Sequence, residues 1–157
     1  MPELFPLFLF LHVLGAVIAL GPAFAFPVIG AMAAREPAYA NFATRVSHRI
    51  SDRLVEPFIL STAVTGVGMI WSRSIPVFDP AYRWLLLSLF VYVAALSFSW
   101  FVQRPTVVRV IELSAGPGAP GPELGPTVGR MGRNGMVLTF LGLALVFLMV
   151  VKPSLGF

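Results

Sequence analysis

His12 is the residue of this 157-residue chain whose type and setting most invite chemistry. It lies in Leu4-Phe5-Pro6-Leu7-Phe8-Leu9-Phe10-Leu11-His12-Val13-Leu14-Gly15-Ala16, well inside an apolar run. An ionisable group at membrane depth is costly, so it is expected to be functional or paired. A neutral imidazole is a good axial ligand for haem iron, and transmembrane bundles are a common place to hold haem b. His12 is therefore a candidate metal and cofactor ligand, with Gly15 and Ala16 beside it as candidate haem contacts. His48, the other histidine, falls in a polar segment that precedes the second apolar run. At 1.5 Å per residue, His12 is only about 12 Å below the start of its helix. The two histidines are thus expected near opposite faces of the membrane, unable to share one iron. A five-coordinate haem, Met69 as a weak second ligand, or a His12 pair across a dimer are the remaining arrangements. The competing reading needs no cofactor: the imidazole hydrogen-bonds to a Ser, a Tyr or a carbonyl on a neighbouring helix.

Other chemistries find little material. The chain has no cysteine, which excludes disulfides, Cys-ligated zinc, iron–sulfur clusters and thiol catalysis. Copper handling favours clustered Met and His, whereas Met32, Met69, Met131, Met136 and Met149 are scattered. No Ser–His–Asp set, phosphate loop or carboxylate pair falls within the apolar runs, and Glu56 at the edge of one is their nearest acid. Ion or proton translocation normally draws on several buried carboxylates. No catalytic residue is assigned.

The elements that must position His12 follow from composition. Hydrophobic residues make up 57% of the chain and charged residues 11%, with a mean hydropathy of +0.86, beyond the range of soluble domains. The apolar residues fall into four blocks near the length that a hydrocarbon core of about 30 Å requires: 4–26, 54–71, 84–102 and 132–151. The expectation is a single all-α domain of four transmembrane helices in an antiparallel bundle. Residues 1–11 contain no Lys or Arg, so the first block is read as a retained span rather than a signal peptide, despite Ala23-Phe24-Ala25.

Charge sets the expected orientation. The net charge of +4 comes from ten Arg and Lys152 against seven acids. Arg35, Arg45, Arg49 and Arg53 lie in the first loop, and Arg104, Arg109, Arg130 and Arg133 in the third. The positive-inside rule places these loops in the cytoplasm and both termini outside, in a bacterial inner membrane. Trp71, Phe78, Tyr82 and Trp84 then form an outer aromatic belt, with Trp100 near the inner face. Excess positive charge in such a chain reads as topology and contact with the lipid bilayer, not nucleic-acid binding.

The first loop carries Tyr39, Phe42, Val46, Ile50 and Leu54 at helical spacing, opposite Asn41, Arg45, His48, Arg49, Asp52 and Glu56. This predicts an amphipathic cytoplasmic helix over 38–56 between the first two spans, with a bend at Pro57. His48 and Asp52 are expected to form a solvated ion pair, and Glu56 to pair with Arg49 or Arg53. The third loop, 103–133, contains a Gly/Pro stretch at 114–122 that is expected to be an irregular, mobile connection. Small and hydroxylated residues align within each span: Gly15, Ala16, Ala19 and Ala23; Ser61, Thr65, Gly68 and Ser72, with Thr62 and Gly66 one row over; Ser88, Tyr92, Ala95, Ser99 and Gln103; Gly132, Gly135, Thr139 and Gly142. Such stripes predict close helix packing, or room for a flat cofactor.

Phe10-Leu11-His12-Val13-Leu14-Gly15-Ala16, the Arg-rich first loop, Asp52-x4-Pro57 leading to Thr65-Gly66, and Arg83-Trp84-Leu85-Leu86 together carry a resemblance. The chain resembles small four-helix bacterial membrane proteins: a family of predicted integral membrane proteins without assigned function, and, more distantly, CopD-like copper-resistance domains and HemJ-type protoporphyrinogen oxidases. The resemblance implies a four-helix fold and, through the HemJ branch, a first-helix histidine acting as a haem ligand. Val17-Ile18-Ala19-Leu20-Gly21-Pro22 replaces the tryptophan and paired glycines that often follow that histidine, and the intramembrane lysine of the HemJ branch has no counterpart. The function expected on these grounds is a non-catalytic membrane bundle, a subunit or accessory of a larger membrane complex or a homo-oligomer. A haem- or porphyrin-binding redox protein using His12 is the alternative, and a copper-transport component the further one.

Overall fold

A computed structural model of the chain describes residues 2–116 and 121–153. Nearly all of these residues are helical, and no strand occurs among them. The helices are α1 (Phe5–Arg35), α2 (Ala40–Ile50), α3 (Glu56–Arg73), α4 (Arg83–Phe98), α5 (Arg104–Leu113) and α6 (Leu124–Val151). They combine into four long rods, Phe5–Arg35, Pro37–Arg73, Pro80–Leu113 and Leu124–Val151, each long and apolar enough to cross a membrane. With 28 to 37 residues, the rods are about 42–55 Å long, well beyond a hydrocarbon core of about 30 Å.

Two rods change helical pitch once, at matching places. Ser51–Val55 and Ser99–Gln103 are π-helical turns, closed by Glu56 N–H to Ser51 O and by Arg104 N–H to Ser99 O. Each ends two residues before a proline, Pro57 or Pro105. Proline supplies no N–H, and its ring collides with the carbonyl four residues back. Inserting one extra residue into the turn relieves that collision. The bend expected at Pro57 is thus this π turn, and the two segments share the spacing Ser-x5-Pro. By contrast, α1 stays one helix through Pro22 and Pro27.

The bundle is assembled from small residues. Gly15, Ala19, Thr62, Thr65, Ser72, Ser88 and Gly142 are buried, whereas Val64, Phe90, Phe140 and Val150 are 70–75% exposed. That inversion is expected where lipid covers the sides and close backbone approach holds the helices. Contacts between α1 and α3 run in opposite senses: Phe8 meets Gly68, His12 meets Gly66 and Gly15 meets Thr62. In α4 and α6, Lys152 lies over the Trp84 ring and Gln103 donates to Met131 O. Leu20 against Gly142 joins α1 to α6, and Tyr92 Oη donating to Ile59 O joins α4 to α3. The predicted stripes accordingly serve as packing seams, except that Gly132 is exposed.

At the end away from the N-terminus, the rods continue into a polar helical cap. The predicted amphipathic helix is present as α2 and runs through the π turn into α3. Residues 103–133, read from the sequence as a loop between spans, contain α5, which prolongs α4, and the first turns of α6. Their charges lower the apolar signal, but the helical repeat continues. Asn41 Nδ2 donates to Ile111 O and Ser114 Oγ, tying α2 to α5. Arg109 bridges to Glu123 at 2.9 Å and Glu112 at 3.4 Å, and these carboxylates, Glu123 first, raise its pKa. Of the Gly/Pro connection, residues 117–120 lie outside the described residues.

Candidate functional site

The His12 site is made by α1 and α3. Gly15 brings the two backbones together: a Cβ there would lie 3.0 Å from Thr62 Cγ2 and 3.4 Å from Phe58 O. Gly66 gives the imidazole its seat, since a Cβ on it would sit 3.4 Å from His12 Cε1 and 3.5 Å from Nδ1. Within that seam, His12 Nδ1 lies 2.8 Å from Thr62 O and 3.3 Å from Thr65 Oγ1. A carbonyl can only accept, so Nδ1 carries the proton and donates to Thr62 O. The neutral ring then keeps its lone pair on Nε2.

Thr65 is itself committed, its hydroxyl donating to Ser61 O at 2.8 Å. Thr62 likewise donates to Ile59 O at 2.6 Å. Backbone carbonyls of α3 therefore accept the protons of this cluster, and the imidazole is the link that crosses between helices. The carbonyl partner is one of the kinds expected from the sequence. The particular pairing with Thr62 and Thr65 required knowing that α1 faces this turn of α3.

The other candidate residues take different positions. Gly15 is buried and Ala16 half-buried, and the space left by the Gly15 side chain is taken by Thr62. Among the described residues His12 Nε2 makes no hydrogen bond, in contrast to Nδ1. Met69 is half-buried, one turn beyond Thr65, at the level where α1 presents Phe8 to Gly68. His48 is separated from Thr65 by 17 residues of continuous helical rod, about 25 Å. Among the described residues, no three His, Asp or Glu side chains are grouped to hold a metal ion.

A second cluster sits at the π turns. Arg104 Nη1 lies 3.3 Å from Glu56 Oε2, and Arg104 Nη2 lies 3.6 Å from Asp52 Oδ1. Asp52 also pairs with His48 Nε2 at 3.6 Å, as the i,i+4 spacing predicts. The partner of Glu56 is thus Arg104 from the third rod, not Arg49 or Arg53 of its own helix. Glu56 and Arg104 each precede the proline of a π turn, so matching backbone irregularities place opposite charges side by side. Nearby, Gln103 Oε1 and Asn134 Nδ2 are buried without a hydrogen-bond partner among the described residues.

A family model described as a predicted integral membrane protein, DUF2269, matches residues 6–153. No curated protein and no solved structure gives a match.

Proposed function

The chain belongs to the DUF2269 family of predicted integral membrane proteins, and from that premise we propose that it is a non-catalytic helical-bundle subunit or accessory of a larger membrane complex. Under this reading His12 clasps two helices through Nδ1, 2.8 Å from Thr62 O, and the observation that carries it is the exposed flank of each rod. The partner complex is supported by the sides of the rods, where only 6–17% of the most apolar stretch is buried. That leaves long faces for other membrane helices or for a second copy. The reading predicts co-purification with other membrane proteins in mild detergent, and a His12→Leu variant that still folds. A partner-free species carrying a bound chromophore contradicts it.

The topology belongs to the same proposal. Both termini lie outside a bacterial inner membrane in an antiparallel bundle, with the α2/α5 cap in the cytoplasm, supported by the eight arginines of the first and third loops. Fusion of alkaline phosphatase to the C-terminus then gives an active enzyme, and an inactive one reverses the orientation.

A second reading rests on Nε2. A histidine whose Nδ1–H donates to a backbone carbonyl has the tautomer and fixed orientation of an axial ligand, which supports haem b bound through His12. Haem would supply one-electron redox chemistry, while this chain would provide Nε2 and, through Thr62 O, hold the ring's orientation. A Soret band that is lost in His12→Ala is the expected sign of this alternative, and a colourless protein after haem-supplemented expression rejects it.

A further inference from the structure

Arg45, Arg49 and Arg53 recur every four residues along α2 and its π turn, and all three are exposed. Among the described residues none of them has an acidic partner, although acids stand within a turn. Asp52 is held by His48 and Arg104, and Glu56 by Arg104. The nearby negative charge is therefore used by a cation from another rod, which leaves three guanidiniums in a row without compensation.

The same three arginines border an open groove of about 610 Å³ between α2 and α5. Its lining includes Phe42, Val46, Ile50, Leu54 and Ile111, so a long apolar wall runs beside the basic edge. Phe42 and Leu54, at the two ends of that wall, are 62% and 43% exposed. The height of the groove follows from the rod. α3 has 18 residues, about 27 Å, nearly the thickness of a hydrocarbon core. Arg53 comes three residues before α3, and Arg49 one turn earlier, which is the level of lipid phosphates when α3 spans the core.

We propose that this groove binds an anionic phospholipid, its phosphate at the Arg49/Arg53 end of the arginine ladder and its acyl chain passing Leu54 toward the hydrocarbon core that α3 spans. Charge complementarity selects an anion, because guanidinium forks match phosphate oxygens. The apolar wall selects an anion that carries a hydrocarbon chain, which distinguishes a lipid from free phosphate. This site is independent of His12 and of any partner subunit.

The test uses the full-length protein in a neutral detergent, with retained lipid counted by native mass spectrometry. Phosphatidylglycerol and phosphatidylcholine of identical acyl chains are titrated separately, and inorganic phosphate is added as a competitor. The expected result is at least tenfold tighter retention of phosphatidylglycerol, little competition by phosphate, and a loss of tenfold or more in R45Q/R49Q/R53Q. Arg130→Gln, on exposed α6, is expected to bind as the parent does. Should the triple variant fail to fold, Arg49→Gln alone is expected to weaken retention about threefold. Equal retention of the two lipids, displacement of phosphatidylglycerol by phosphate alone, or undiminished binding by the folded arginine variants would each overturn the proposal.

Discussion

The α1/α3 seam and the α2/α5 cap both place polar side chains between helices, yet they use them in opposite ways. In the seam, a single imidazole meets a carbonyl and a hydroxyl between backbones brought together by glycines. In the cap, Arg104 spans two carboxylates at 3.3 and 3.6 Å while remaining 47% exposed. Geometry in the seam is tight because there is no water to fill a gap. Geometry in the cap is loose because water screens the charges and replaces partners at little cost. Substitutions in the seam should therefore act through shape, and those in the cap through charge and salt.

The largest effect is expected from Gly15→Leu. Its side chain would drive into Thr62 and the Phe58 carbonyl, and overpacking of this kind costs about 1–3 kcal/mol. Equilibrium unfolding in mixed micelles should show that loss at any ionic strength. A neutral Gly15→Leu would break the claim that shape governs the seam.

His12→Leu comes next. It removes the interhelical hydrogen bond but leaves Thr62 O its place in the helix ladder of α3, so the cost should be about 0.6 kcal/mol, with about 1.7 as the upper range for such bonds in membranes. Combining it with Thr65→Ala in a double-mutant cycle sharpens the result. Coupling is expected between the two positions, and strict additivity would mean that the hydroxyl adds nothing to the clasp.

Arg104→Gln should cost less, about 0.3 kcal/mol, as for an exposed ion pair. Its effect should also shrink as salt is added, unlike that of either seam variant. The smallest change belongs to Arg109→Gln, where an exposed guanidinium loses two exposed carboxylates. No shift in the unfolding midpoint is expected at physiological salt. A large, salt-independent loss in either cap variant would erase the distinction between the two regions.

The sequence makes this contrast partly legible. Four apolar blocks and stripes of small residues announce the spans and their inward faces, because burial in lipid demands both length and close approach. Ala19, Thr65, Ser88 and Gly142 are buried on the faces their spacing indicates. The cap is harder to read. α5 is obscured by Arg104, Pro105 and Arg109, since hydropathy reports burial and is silent about a helix that continues into water. The partner of Glu56 is obscured for a related reason: spacing along one helix points to Arg49 and Arg53, whereas Arg104 arrives from another rod 48 positions later. Proline spacing does not supply the missing information either, because Ser74 and Pro80 share the Ser-x5-Pro pattern outside any π turn and α1 continues through Pro22 and Pro27. His12 stood between these cases. Its need for a partner was evident from cost alone, and the identity of that partner depended on packing.

Under the proposed function His12 serves as a clasp between α1 and α3. The most direct test of that role is one absorption spectrum of the full-length protein, purified in detergent after expression with supplemented haem. No Soret band is expected, and His12→Leu should be indistinguishable from the parent. A Soret band present in the parent and lost in the variant would contradict that role.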